Sequence, residues 1–145
     1  MAHRDLSRNE IEELLRSERV VRIALHAAGE RYLVPVGYVW LEGFLYFVAL
    51  EGRKTRMAAI QPEVAFQVDT SARTGVFEWR SVTGEGAIDA VTDPAQIENI
   101  RPALFGQFSD IPEWMSVEYQ QRGREGLLRW YRIRPAVMTG RLAGR

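Results

Sequence analysis

The sequence predicts a mainly β protein with flanking helices, built on six hairpin-connected strands that close into a barrel. Three observations lead there. Six strand-length apolar stretches, alternating or continuous, lie between residues 20 and 133, with helices expected only at the N-terminus, over 56–60 and within 93–123. Gly-bearing turns separate the first stretches, which reads as hairpins. Six strands in a chain of 145 residues would leave exposed edges unless the sheet closed on itself.

The elements follow in order. Ser7 or Asn9 caps a first helix within residues 1–18, with Ile11, Leu14 and Leu15 on one face and Glu10, Glu12 and Glu13 near its positive end. It reads as an amphipathic lid. Val20–His26 is a strand with Val21, Ile23 and Leu25 on one face, closed by a turn over Ala27–Glu30. Arg31–Trp40 is a second strand, with Tyr32, Val34, Val36, Tyr38 and Trp40 on one face. Pro35 places that strand at an edge or an irregularity, and Gly37 lets something flat approach its backbone. Glu42-Gly43 turns into the strand Phe44–Val48.

That strand breaks at Glu51-Gly52, and Arg53, Lys54 and Thr55 precede a helix over Arg56–Ile60 that Gln61-Pro62 stops. Val64, Phe66 and Val68 mark a fourth strand. A loop over 70–75 leads to a long strand, Val76–Val91, which Gly84 and Gly86 interrupt with a bulge or sharp coil. Asp93-Pro94 starts a helix to Phe105, and Ile111-Pro112 starts another carrying Trp114, Met115, Val117 and Tyr119. Leu127–Ile133 is the last strand, followed past Pro135 by an extended piece over Ala136–Thr139. The expectation is one domain over 1–145: barrel strands in 20–91 and 127–139, with a helical insertion at 93–123.

Composition removes several functions. Formal net charge is zero, which argues against a general nucleic-acid binder. Cysteine is absent and only His3 and His26 are present, so thiolate chemistry is excluded and a metal site is not expected. No apolar run is long enough to span a membrane, and no signal-like apolar core opens the chain, so a cytoplasmic protein is expected. No nucleophile–base pairing, phosphate-loop motif or zinc spacing occurs. Glu85, Asp89 and Asp93 are carboxylates with nothing in the sequence to separate their acidities. No catalytic side chain is expected, which leaves chemistry supplied by a cofactor.

One stretch points to that cofactor. Phe44–Met57 runs from a strand through a Gly turn into a helix start bearing Arg53 and Lys54, the chain's one lysine. Backbone N–H groups, a positive dipole end and two cations make an anion site, and a phosphate suits it; a solvated helix start is the bland alternative. The ordered pieces VPVGY (34–38), LYFV (45–48), GRK (52–54), QPEVAFQV (61–68), EWRSVTGEG (78–86) and YRIRP (131–135) together resemble the flavin-binding split-barrel superfamily. That group includes the pyridoxamine 5′-phosphate oxidase-like and nitroimidazole-resistance-like proteins.

The resemblance implies a six-stranded antiparallel split β-barrel, a two-fold homodimer, and FMN sites in the interface. It places Arg53 and Lys54 on the phosphate, with Thr55 adding a hydroxyl. It places Phe47, Val48 and Ala49 along the ring and ribityl chain, and Val36, Gly37 and Tyr38 at the ring on the neighbouring strand. Trp79 and Ser81 would reach the partner's cofactor, and Gln67 would add a polar contact. Gly52 replaces the serine of the oxidase's Ser-Arg-Lys, and Val48 replaces a histidine of the nitroimidazole-resistance pattern. The oxidase's terminal Trp and Arg-x-His are reduced to Arg141. The implied function is hydride transfer between the flavin and a small molecule whose identity stays open. A deazaflavin coenzyme in place of FMN, or a non-catalytic binding barrel, are the alternatives.

Overall fold

The structure, a computed structural model, describes residues 3–144. Eight strands form one antiparallel sheet: β1 (His3–Asp5), β2 (Val20–Ala27), β3 (Glu30–Gly37), β4 (Val39–Leu41), β5 (Phe44–Leu50), β6 (Glu63–Asp69), β7 (Trp79–Val91) and β8 (Leu128–Ala143). The hydrogen-bonded order is β3-β2-β6-β7-β8-β5-β4, with β1 added to β8. The two ends of that order, β3 and β4, are joined through the single residue Tyr38. The sheet therefore curls nearly full circle and stays split along one seam, between β3 and the part of β5 that β4 leaves unpaired, Phe47–Leu50.

Five helices accompany the sheet: α1 (Arg8–Ser17), α2 (Arg53–Ile60), α3 (Ser71–Thr74), α4 (Pro94–Gln107) and α5 (Glu113–Arg124). Ser7 caps α1. Its hydroxyl accepts from the Glu10 N–H at 3.2 Å, and Glu10 Oε1 accepts from the Ser7 N–H at 3.0 Å, a reciprocal capping box. Ile11, Leu14 and Leu15 then enter the interior beside Val21, Ile23, Leu25, Phe66, Val68 and Val82, so α1 closes one end of the barrel. Removing a fully buried side chain such as Leu15 would cost about 2–5 kcal/mol.

The sequence expectations differ from the structure at definite places. The second expected strand is two, because Tyr38 turns inward between β3 and β4: its N–H donates to the Arg19 carbonyl at 3.0 Å and its hydroxyl to the Leu15 carbonyl at 2.7 Å. β7 begins at Trp79, not Val76; Val76 and Phe77 are exposed beyond it. α2 begins at Arg53, since Gly52 already serves as its N-cap. β8 runs unbroken through Pro135 to Ala143, because the proline falls at the bulge where the β7–β8 register shifts between Glu85 and Gly86. β1 was not expected at all. Pro35 sits on β3, a strand at one end of the sheet order, as its missing N–H requires.

Candidate functional site at the barrel seam

The seam places two incompletely paired strand edges against each other. Along β3, Tyr32, Val34 and Val36 pack against the core yet stay partly exposed. Facing them is β5 beyond Tyr46. At the mouth of this crevice α2 starts. An α-helix leaves its first four N–H groups without helical partners. Here the Gly52 N–H donates to Thr55 Oγ1 at 2.8 Å, and the Thr55 hydroxyl donates back to the Gly52 carbonyl at 2.9 Å. Gly52 has no side chain to cap the rest, so the N–H groups of Arg53, Lys54 and Thr55 face outward at the positive end of the helix dipole.

Side chains complete the mouth. The Arg53 guanidinium lies over the Tyr32 ring, 4.5 Å from its centroid, and reaches Glu30 at 3.9 Å. Lys54 helps line a small gap together with Ile23, Leu25, Phe47 and Tyr131. Phe47 and Tyr131 stack at 5.7 Å. Burial pushes the Tyr131 phenol pKa up, with the nearby Glu51 charge adding to the effect. Glu51 is held by the Leu127 carbonyl, which accepts its N–H at 3.3 Å, and by Arg129 at 3.8 Å.

The expected site residues separate into groups. Val36, Val48, Arg53 and Lys54 belong to the seam. Phe47 and Ala49 point into the barrel and are buried, so only their backbone is available there. Tyr38 is fully buried, and burial drives its phenol pKa well up; its side chain belongs to the core, not to a site. The Thr55 hydroxyl is committed to the Gly52 turn. The space expected beside Gly37 is taken by the Phe108 ring.

Gln67, Trp79 and Ser81 lie on the outer face of β6 and β7, separated from the seam by β2 and β3. There the Gln67 amide donates to Asp69 Oδ2 at 2.6 Å and to Ser81 Oγ at 3.2 Å, and accepts from Arg22 at 3.4 Å. Burial works against the Asp69 charge, but bonds from Ser71 and Gln67 and the charge of Arg22 win, and its pKa falls. Within one chain this network and the seam do not converge.

Tyr32, Glu30, Tyr131 and Phe108 were missed as site residues. Tyr32 shares the alternating face of Val34 and Val36 and so read as packing. Phe108 lies in the α4–α5 connection, where no local signal says which strand it meets. Among the described residues no trio of His, Asp or Glu is placed to hold a metal ion, and no helix is long and apolar enough to cross a membrane.

A curled antiparallel sheet split at one seam, with an uncapped cationic helix start at its mouth, defines a split β-barrel. The family profile described as pyridoxamine 5′-phosphate oxidase matches residues 7–142, and the chain belongs to that family. No curated protein sequence matches the chain. Among solved structures it is similar to an FAD-binding protein from Mesorhizobium loti (25% identity, 99% of this chain and 100% of that one, TM-score 0.76). It is also similar to an FAD-binding protein from Mycobacterium smegmatis (26% identity, 95% and 98%, TM-score 0.69). A second M. smegmatis protein, which binds FAD and heme, shares the fold at 18% identity (100% and 75%, TM-score 0.71).

Proposed function

We propose that this chain binds a flavin at the seam and serves as a flavin-dependent oxidoreductase for a small molecule. The observation that carries the reading is the start of α2, which has no side-chain cap and carries Arg53 and Lys54 in its first turn, with Arg53 reaching across the crevice mouth to Tyr32 and Glu30. FMN fits that arrangement. Its phosphate would meet Lys54, Arg53 and the N–H groups, and a planar imide-bearing ring would find free backbone donors and acceptors along β3 and β5. The FAD-binding relatives at 25–26% identity support a flavin, and FAD shares with FMN everything up to the first phosphate.

Bound there, a flavin supplies hydride acceptance and donation. Arg53, Lys54 and the first N–H groups of α2 would hold its phosphate, and the β3 and β5 edges would offer the ring backbone donors and acceptors.

The reading extends to a homodimer. The outer sheet face carries an open groove of ≈1170 Å³ crossed by the ladder row Leu33, Ala24, Ala65 and Glu85, and Val137 continues that row beyond it. Leu33 is 68% and Val137 52% exposed, and an apolar patch of this kind favours a partner surface. A second copy seated there would cover it and would bring Gln67, Ser81 and Trp79 towards the neighbouring seam. Titration of the purified protein with FMN, FAD and riboflavin, followed by flavin fluorescence, tests the cofactor. Binding of FMN or FAD in the micromolar range or tighter is expected, and no binding of either overturns it.

A further inference from the structure

We infer that Tyr32 is a positioning residue for the phosphate-binding guanidinium, and that Glu30 competes with the phosphate for that same group. This rests on the flavin reading above. Arg53 starts α2 on one side of the crevice mouth, whereas Tyr32 and Glu30 belong to β3 on the other. The guanidinium bridges the two, its carbon 4.5 Å from the Tyr32 centroid. An arginine half exposed at a helix start would otherwise sample many rotamers, and ordering it on the ligand would weaken binding. Stacking fixes it beforehand. It uses the flat face of the group, while anions bind along its N–H edges, so ring and phosphate can hold one guanidinium together.

Glu30 approaches such an edge. Its Oε2 lies 3.9 Å from Arg53 Nη2, an ion pair too long for a hydrogen bond. Glu30 is itself largely exposed and is held loosely. A phosphate, with more charge and shorter bonds available from three backbone N–H groups, displaces it. Until then the carboxylate shields Arg53, and afterwards it repels the phosphate. Lys54 lacks both features: it has no ring beneath its ammonium and, among the described residues, no acidic partner within ion-pair distance. The two cations therefore differ in kind, one preset and partly neutralised, the other a free point charge.

The test compares FMN with riboflavin, which lacks the phosphate, on wild type, Tyr32→Leu, Tyr32→Phe and Glu30→Gln. Tyr32→Leu should weaken FMN about two- to five-fold, the worth of an exposed cation–π contact, and leave riboflavin unchanged. Tyr32→Phe keeps the ring and should keep the affinity. Glu30→Gln should tighten FMN about two-fold at low salt, and the gain should fade as salt is raised. Both effects should vanish in an Arg53→Gln background, which decides the matter even where riboflavin binds weakly. Equal losses for FMN and riboflavin, or unchanged FMN affinity in Tyr32→Leu, overturn this inference and leave the flavin reading standing. Absence of FMN and FAD binding by wild type overturns both.

Discussion

Phe108 occupies the space a side chain on Gly37 would need: a Cβ there would lie 2.6 Å from the ring's Cζ. Arg19 lies over that ring, 5.5 Å from its centroid, and pairs with Asp110 at 2.7 Å. The helical insertion is thus pinned at the end of β3. Gly37→Ala should push the ring aside at a cost of about 1–2 kcal/mol, measured by urea unfolding. The double variant with Phe108→Ala should cost less than the two single changes added together.

Gly86 meets backbone instead of a movable ring. A Cβ there would stand 2.3 Å from the Arg134 carbonyl oxygen at the β7–β8 bulge. Gly86→Ala should therefore destabilise by about 2–3 kcal/mol, more than Gly37→Ala, because a ladder must shift where a ring would rotate. Thermal unfolding of the two variants side by side checks the order.

At the mouth of the seam, Gly52 has open space for a side chain, with the Leu50 carbonyl oxygen nearest at 3.9 Å. Gly52→Ser should cap α2 and add a few tenths of a kcal/mol to stability. Because the capping hydroxyl takes an N–H group that the phosphate would otherwise meet, FMN should bind no more tightly than to wild type. Lys54→Ala should weaken FMN by about 1.5–3 kcal/mol, the range for a bond to a charged group. Titration by flavin fluorescence measures each.

Glu10 gives the fold a pH dependence. The hydrogen bond from Arg4 foremost, then the Ser7 N–H, lowers its pKa from 4.5 to about 2. A group whose folded pKa is depressed stabilises the fold above its unfolded value and loses that contribution as pH falls through the folded one. Stability should drop between about pH 4.5 and pH 2, and Glu10→Gln should flatten that part of the curve, read as melting temperature against pH.

Local rules carried the sequence reading a long way. Alternation marked β2 and β6, a continuous apolar run marked β5, a Gly pair marked the bulge in β7, and Ser7 or Asn9 ahead of Glu10, Glu12 and Glu13 marked the start of α1. The cationic start of α2 was legible because a Gly turn and two cations are neighbours in the chain. Contacts between distant residues were not. That Tyr38 would turn inward depends on the Leu15 carbonyl, and that Phe108 would fill the gap at Gly37 depends on how α4 ends. β1 owes its pairing to β8, almost the full chain length away, and three residues carry no periodicity to announce it. The fit between Arg53 and Tyr32 likewise exists only once the barrel has curled far enough to bring the two ends of the sheet together.

β8 pairs with β7 from Trp130 to Ala143 apart from the bulge, and also with β5 and with β1. It is also the last described strand in chain order. Until it arrives, β5 and β7 have no common neighbour, and no strand pairing joins the β2–β3–β6–β7 half to the β4–β5 hairpin. Folding must therefore wait for a late segment to link early ones. Long-range pairing of this kind is slow and leaves edges open to other chains meanwhile. During synthesis, the growing chain is at its most vulnerable when nearly all of the barrel has been made and none of it can close.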